Sequence, residues 1–124
     1  MTKTEYEILR VLWEAEKPLT RGEIIEFSGT LKPNSASVMI SRLLKLEYIE
    51  VAGYVQAGKA IARSYSPAIT SEKYAAAELA LHSGKPLNIV GLVSALSGKV
   101  DIDEETIHGL EEIIERLKQE SKEE

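Results

Sequence analysis

The sequence predicts a mainly α-helical fold with a small β-hairpin: three helices before the hairpin and a further helical region after it. Three observations predict this. Apolar residues recur every three or four positions through "YEILRVLWEA", "EIIEF" and "SASVMISRLLK". The pattern then switches to alternation in "YIEVAGYV" and "AIARSYS", two runs that flank "QAGK". After Pro67 the helical period returns and ends in "DEETIHGLEEIIERLKQE".

The first helix is expected from about Thr4 to Ala15, with Thr4 and Glu7 at capping-box spacing and Tyr6, Leu9, Leu12 and Trp13 at core intervals. "EKPL" stops it. A second, shorter helix starts at Thr20, where Thr20 and Glu23 repeat the capping pattern, and it carries Ile24, Ile25 and Phe27 inward. Gly29 ends it as a left-handed cap. The third runs from Pro33 or Asn34 to about Glu47, with Ala36, Met39, Ile40, Leu43 and Leu46 on one side. The hairpin turns near Gly58 and Lys59, and Pro67 closes the unit. Three helices followed by a two-stranded ribbon is the order of a winged helix-turn-helix, which assigns residues 1–70 to such a domain.

Residues 71–124 read as a separate helical region. Ser71 starts a helix through about His82, "SGKP" breaks it, and "LNIVGLVSALSG" follows, apolar nearly all round. Asp103 caps the last helix, whose first-turn acids suit the helix dipole. Leu87, Ile89, Val90, Leu92, Val93 and Leu96, with Ile107, Leu110, Ile113, Ile114 and Leu117, are more apolar surface than a chain this small can cover alone. A symmetric interface with a second copy buries them, so this region is expected to dimerise. The competing reading is an ordinary intrachain helical core.

Composition narrows the function. The 124-residue chain has no cysteine, which excludes disulfides, thiolate metal sites and Cys nucleophiles and fits a reducing cytoplasm. No stretch approaches the roughly 18 apolar residues of a membrane span, so a cytoplasmic location is expected. The net charge of −5 is unevenly spread: residues 1–70 carry nine Lys+Arg against eight Asp+Glu, and residues 71–124 carry six against twelve. The first part is thereby able to approach a polyanion. His82 and His108 are solitary, the carboxylates lie on solvated helix faces, and no phosphate loop or nucleophile motif occurs. No catalytic residue, metal ligand or cofactor is expected, and the chain does not read as an enzyme.

One face is unusual. Away from its apolar side the third helix presents Asn34, Ser35, Ser37, Val38, Ser41 and Arg42, followed by Lys45. Short hydroxyl and amide side chains lower helix propensity, but they let a helix lie deep in a DNA major groove. Asn and Ser then reach base edges, a Val methyl meets thymine, and Arg42 and Lys45 reach phosphate or guanine. Thr20 and Arg21, at the start of the second helix, are placed to hold a phosphate, and Lys59 and Arg63 of the wing to touch flanking backbone. Blander readings are an N-cap cluster near residue 34 and a structural ion pair between Arg42 and Glu47 or another acid of the domain.

The runs "YEILRVLWEAEKPLTRGEIIE", "KPNSASVMISRLLKLEYIE" and "ARSYSP" together resemble the penicillinase-repressor and copper-transport-repressor family (BlaI/MecI/CopY). The resemblance implies a cytoplasmic, homodimeric transcriptional repressor that grips an inverted-repeat DNA operator with its winged domains and dimerises through its C-terminal helices. It places the base-reading set on Asn34, Ser35, Ser37, Val38, Ser41 and Arg42, with wing contacts near Lys59 and Arg63. Three departures matter. Leu31-Lys32 stands where the family usually has Trp-Ser, the hairpin is several residues longer, and the absence of cysteine excludes thiolate copper sensing. Some members are inactivated by a membrane sensor-protease, and "KPLNIVGLVSAL" offers no clear scissile match. Two other readings stand beside the repressor: a winged-helix protein–protein adaptor, favoured by the near-neutral head, and a metal- or small-molecule-responsive regulator using His82, His108 and nearby acids.

Overall fold

Helix α1 (Lys3–Ala15) buries Ile8, Leu9, Val11 and Leu12, the residues its sequence period places on one side. In the computed structural model, which describes residues 3–82, 84 and 86–123, the helix already includes Lys3. Thr4 therefore sits inside it and not at its cap. Glu7 is drawn instead to Arg10 at 2.5 Å and accepts a hydrogen bond from the Ser28 hydroxyl at 3.2 Å. Tyr6 is 44% exposed rather than core.

Strand β1 (Leu19–Thr20) leads directly into α2 (Arg21–Ser28). The capping box forms as expected: Glu23 N–H donates to Thr20 Oγ1 at 3.3 Å, and Thr20 N–H donates to the Glu23 carboxylate at 3.0 Å. Gly29, with φ 75°, closes the helix by donating its N–H to Ile25 O. Ile24 is fully buried and Ile25 half-buried, but Phe27 is 60% exposed. Ile8, Leu12 and Ile24 already fill the interior, and Phe27 lies on the surface beside Val11, Glu14 and Ala15.

Helix α3 (Pro33–Lys45) takes Pro33 at its first position, where φ is preset and the missing N–H costs nothing. Its cap residue, Lys32, makes no side-chain capping bond. The helix ends at Lys45, two residues short of the expected Glu47. There Tyr48 N–H donates to Leu43 O and Glu47 N–H to Leu44 O, the pair of bonds that defines a Schellman stop. Ala36, Ile40 and Leu43 are buried and Met39 half-buried. Leu46 is 45% exposed, because it follows the last helical turn.

Strands β2 (Ile49–Ala57) and β3 (Ala60–Pro67) form the hairpin around Gly58 and Lys59, with Gly58 at φ 64°. The sheet has three antiparallel strands in the order β1-β3-β2, not two, because Leu19 pairs with Tyr65 and Thr20 with Ser64. A two-residue strand is too short to show alternation. The register slips between Val51 and Gly53, a bulge that adds local twist at the base of the wing.

Helix α4 (Ser71–His82) packs Tyr74 into the same core, where its ring lies 5.5 Å from Tyr48 and 5.8 Å from Trp13. Trp13 Nε1 donates to Ile69 O at 2.9 Å. The chain divides into two compact units, residues 1–83 and 84–124. Tyr74 makes α4 part of the first in packing, thirteen residues beyond the functional boundary drawn after residue 70. The break expected at "SGKP" falls partly on Ser83 and Lys85, which lie outside the described residues.

The second unit holds α5 (Ile89–Ser97) and α6 (Glu104–Glu123). Asn88 caps α5 by accepting from Gly91 N–H at 3.0 Å. Asp103 caps α6 as expected, accepting from the N–H and the hydroxyl of Thr106 at 2.8 and 2.7 Å. None of its residues with a described side chain is buried. No described helix is long and apolar enough to cross a membrane.

Candidate nucleic-acid interface

With Ala36, Ile40 and Leu43 locked against the core, the opposite side of α3 divides into two stripes. Asn34, Ser37 and Ser41 form one at helical spacing, and Ser35, Val38, Arg42 and Lys45 form the other. All seven are exposed, Val38 at 63%. Ser37 and Ser41 of the first stripe border a cleft of about 460 Å³ lined by Thr20, Arg21, Gly22, Ser37, Ile40, Ser41, Ala57, Ala62, Arg63 and Tyr65. Five expected DNA contacts (Thr20, Arg21, Ser37, Ser41 and Arg63) thus meet around one concavity bounded by the start of α2, the face of α3 and the wing. Two of them are arginines, and among the described residues no carboxylate lines the cleft.

Local chemistry fixes these groups. Arg21 Nη1 donates to Ser37 Oγ at 3.1 Å and to Pro33 O at 3.5 Å, bracing α2 against the start of α3. The Thr20 hydroxyl is committed to its capping box, so an outside anion at this helix start meets the N–H groups of Arg21 and Gly22, the donors that such a box leaves over. Hydrogen bonds from Thr20 hold the Glu23 carboxyl below its usual range. The Arg63 guanidinium lies 5.6 Å from the centroid of the Tyr65 ring, which supports it from one side.

Arg42, expected from the sequence to touch DNA, is held in an ion pair. Its Nε lies 2.6 Å from Glu5 Oε1, and the Glu5 side chain is 5% exposed while that of Arg42 is 59% exposed. The ion pair therefore links α1 to the last turn of α3, with Glu5 and not Glu47 as the acid. Sequence reasoning missed Glu5. The signal was its phase: it shares the inward side of α1 with Ile8, Leu9 and Leu12, and a carboxylate there needs a cationic partner.

Asn34, Ser35, Val38, Lys45 and Lys59 are exposed but do not line the cleft. The first four lie along α3 beside it, and Lys59 sits in the hairpin turn. Gly22, Ile40, Ala57, Ala62 and Tyr65 complete the lining and were not named from the sequence as DNA contacts. Ala57 and Ala62 follow from strand alternation, since one face of the wing must turn toward α3. The two histidines are each paired within their own helix: His82 Nε2 lies 3.1 Å from Glu78 and His108 Nε2 3.0 Å from Glu112. Among the described residues no three His, Asp or Glu side chains gather as a metal site.

The sequence model of the family described as penicillinase repressor matches residues 1–116. The chain belongs to the penicillinase repressor family. It is a family of DNA-binding repressors, and the three helices and three-stranded sheet found here are its winged helix-turn-helix. No curated protein sequence matches the chain. Among solved structures it is similar to MarR of Staphylococcus aureus, in complex with salicylate and kanamycin, at 15% identity and TM-score 0.46, over all of this chain and 75% of that one. Two mutants of ZitR from Lactococcus lactis are similar at 21% and 22% identity and TM-scores of 0.46 and 0.45, over 97% of this chain and 75% of theirs.

Proposed function

We propose that this protein is a cytoplasmic transcriptional repressor that binds an inverted-repeat DNA operator as a homodimer. The carrying observation is the concave, carboxylate-free surface on which Arg21, Ser37, Ser41 and Arg63 converge beside the exposed Ser35–Lys45 stripe. A helix bearing short polar side chains enters the major groove without steric penalty. The start of α2 and the wing then straddle it and hold the sugar-phosphate backbone on either side. Membership of the penicillinase repressor family supports the same reading.

A single winged domain spans too few base pairs for specific binding, so a second head is needed. The second unit supplies the means: Ile89 is 68%, Val90 80%, Ile114 51% and Leu117 52% exposed in the lone chain. The same residues of a second copy would cover them, placing two heads on a palindrome. The acidic charge of residues 71–124 discourages that region from docking on phosphate.

Footprinting on DNA flanking its own gene tests the proposal. The expected result is a protected, two-fold symmetric site whose affinity falls as salt rises, with a slope of about −0.9 per phosphate neutralised. Absence of any protected site at low salt would refute it and favour a protein–protein adaptor.

A further inference from the structure

An aromatic cluster lies outside the DNA-facing surface. Tyr6 is 44% exposed although it shares α1 with the fully buried Ile8 and Leu9. Its ring centroid is 6.3 Å from that of Trp13, at 67° between planes, and 6.5 Å from that of Tyr74. Trp13 and Tyr74 meet edge-on at 5.8 Å. Together with Ser71, Ala75 and Glu78, these three rings line an open cleft of about 330 Å³ across α1 and α4. Reading DNA asks for none of them.

The charge in the cleft is negative. Glu78 has a side chain only 15% exposed, with one carboxylate oxygen on His82 Nε2. Tyr74 is 2% exposed, and its hydroxyl has no hydrogen-bond partner among the described residues. That hydroxyl is pushed up to about 12, first by burial and then by the nearby charges of Glu78 and Glu5. Burial opposes a charge of either sign, but the carboxylates of Glu78 and Glu5 oppose an anionic ligand and favour a cation. Ring faces do the same, because the face of an aromatic ring is its negative side.

We infer that the cleft between α1 and α4 binds a small organic cation of the quaternary ammonium class, seated on the rings of Tyr6 and Trp13 with its charge toward Glu78. Such a cation has no N–H to satisfy and a thin hydration shell, which suits a site lined by aromatic rings and one carboxylate. Occupancy would tie α4 to α1 within the first unit and stabilise their packing.

Trp13 is the only tryptophan, so its emission reports directly on the site. The full chain would be titrated with choline chloride at fixed ionic strength, and in parallel with the neutral isostere in which carbon replaces the quaternary nitrogen. The expected result is a saturable change in Trp13 emission and a rise in melting temperature with choline, and neither with the isostere. Glu78→Gln should weaken choline binding by about tenfold, the scale of a partly desolvated charge interaction. Tyr6→Leu, which keeps the apolar contact and removes the ring face, should weaken it to a similar degree. No saturable change with choline, an equal response to the isostere, or unaltered binding by Glu78→Gln would each overturn the inference. The comparison of the two probes on the unmutated chain stands even if a variant fails to fold.

Discussion

Glu47 stands at φ 62° in the Schellman stop of α3, a left-handed conformation that disfavours residues with a Cβ. Glycine suits that position without strain, so Glu47→Gly should stabilise the protein by roughly 0.5–1 kcal/mol in urea unfolding, after allowing for glycine's freer unfolded chain. Arg42 is held for the opposite reason. Removing it leaves Glu5, 4% exposed, without the guanidinium at 2.6 Å. Arg42→Ala should therefore cost about 1–3 kcal/mol, less than for a fully buried pair because Arg42 itself is half in water. Arg42→Lys should recover only part, since an ammonium lacks the planar fork. Glu23 makes a prediction about pH. Its folded-state pKa lies below the ordinary 4.5, so its contribution is complete above that value and is lost as pH falls through the folded value. Glu23→Gln keeps an acceptor for Thr20 N–H, and its melting temperature should fall less steeply than that of the wild type below pH 4.5.

Among the elements, α3 shows a conflict between stability and reading. Lys32 occupies the N-cap without a capping bond and puts a positive charge at the positive end of the helix. Lys32→Ser should raise stability by about 1 kcal/mol, measurable as a higher melting temperature. Much of the architecture was legible because several helices announce their ends: Thr20 with Glu23, Gly29, Pro33 and Asp103 all act where the sequence places them, whereas Thr4 does not. What was not legible depended on neighbours distant in sequence. The pairing of Leu19 with Tyr65, the exposure of Phe27 and the choice of Arg42 as the partner of Glu5 are set by tertiary packing that no local pattern encodes. The candidate DNA-facing surface was legible on α3, whose two stripes follow from the 3.6-residue period. The alignment of Arg21 and Arg63 around Ser37 and Ser41 required the fold.

At the scale of the whole molecule, the second unit carries a line of exposed apolar side chains that water should not tolerate in a lone chain: Ile107 at 45%, Ile113 at 43%, Ile114 at 51% and Leu117 at 52% along α6. The proposed homodimer would cover them. Sedimentation equilibrium should give twice the 13.7 kDa chain mass, and Leu117→Glu should shift it to the monomer. The same variant should weaken operator binding at least tenfold, because one head alone loses half the contacts. A monomeric wild type would contradict the dimer while leaving the single head's chemistry intact.

The central claim is that the short, polar side of α3 enters the major groove, and Ser35→Glu tests it most directly. Position 35 is exposed and lies in the first turn of α3, where a carboxylate is favoured by the helix dipole, so the fold should be as stable as before or slightly more so. Against the bases and phosphates the same carboxylate is repelled. Fluorescence anisotropy on the footprinted operator should show affinity reduced to the non-specific level, about a thousandfold or more, with an undiminished melting temperature. Operator affinity equal to that of the wild type would contradict the account.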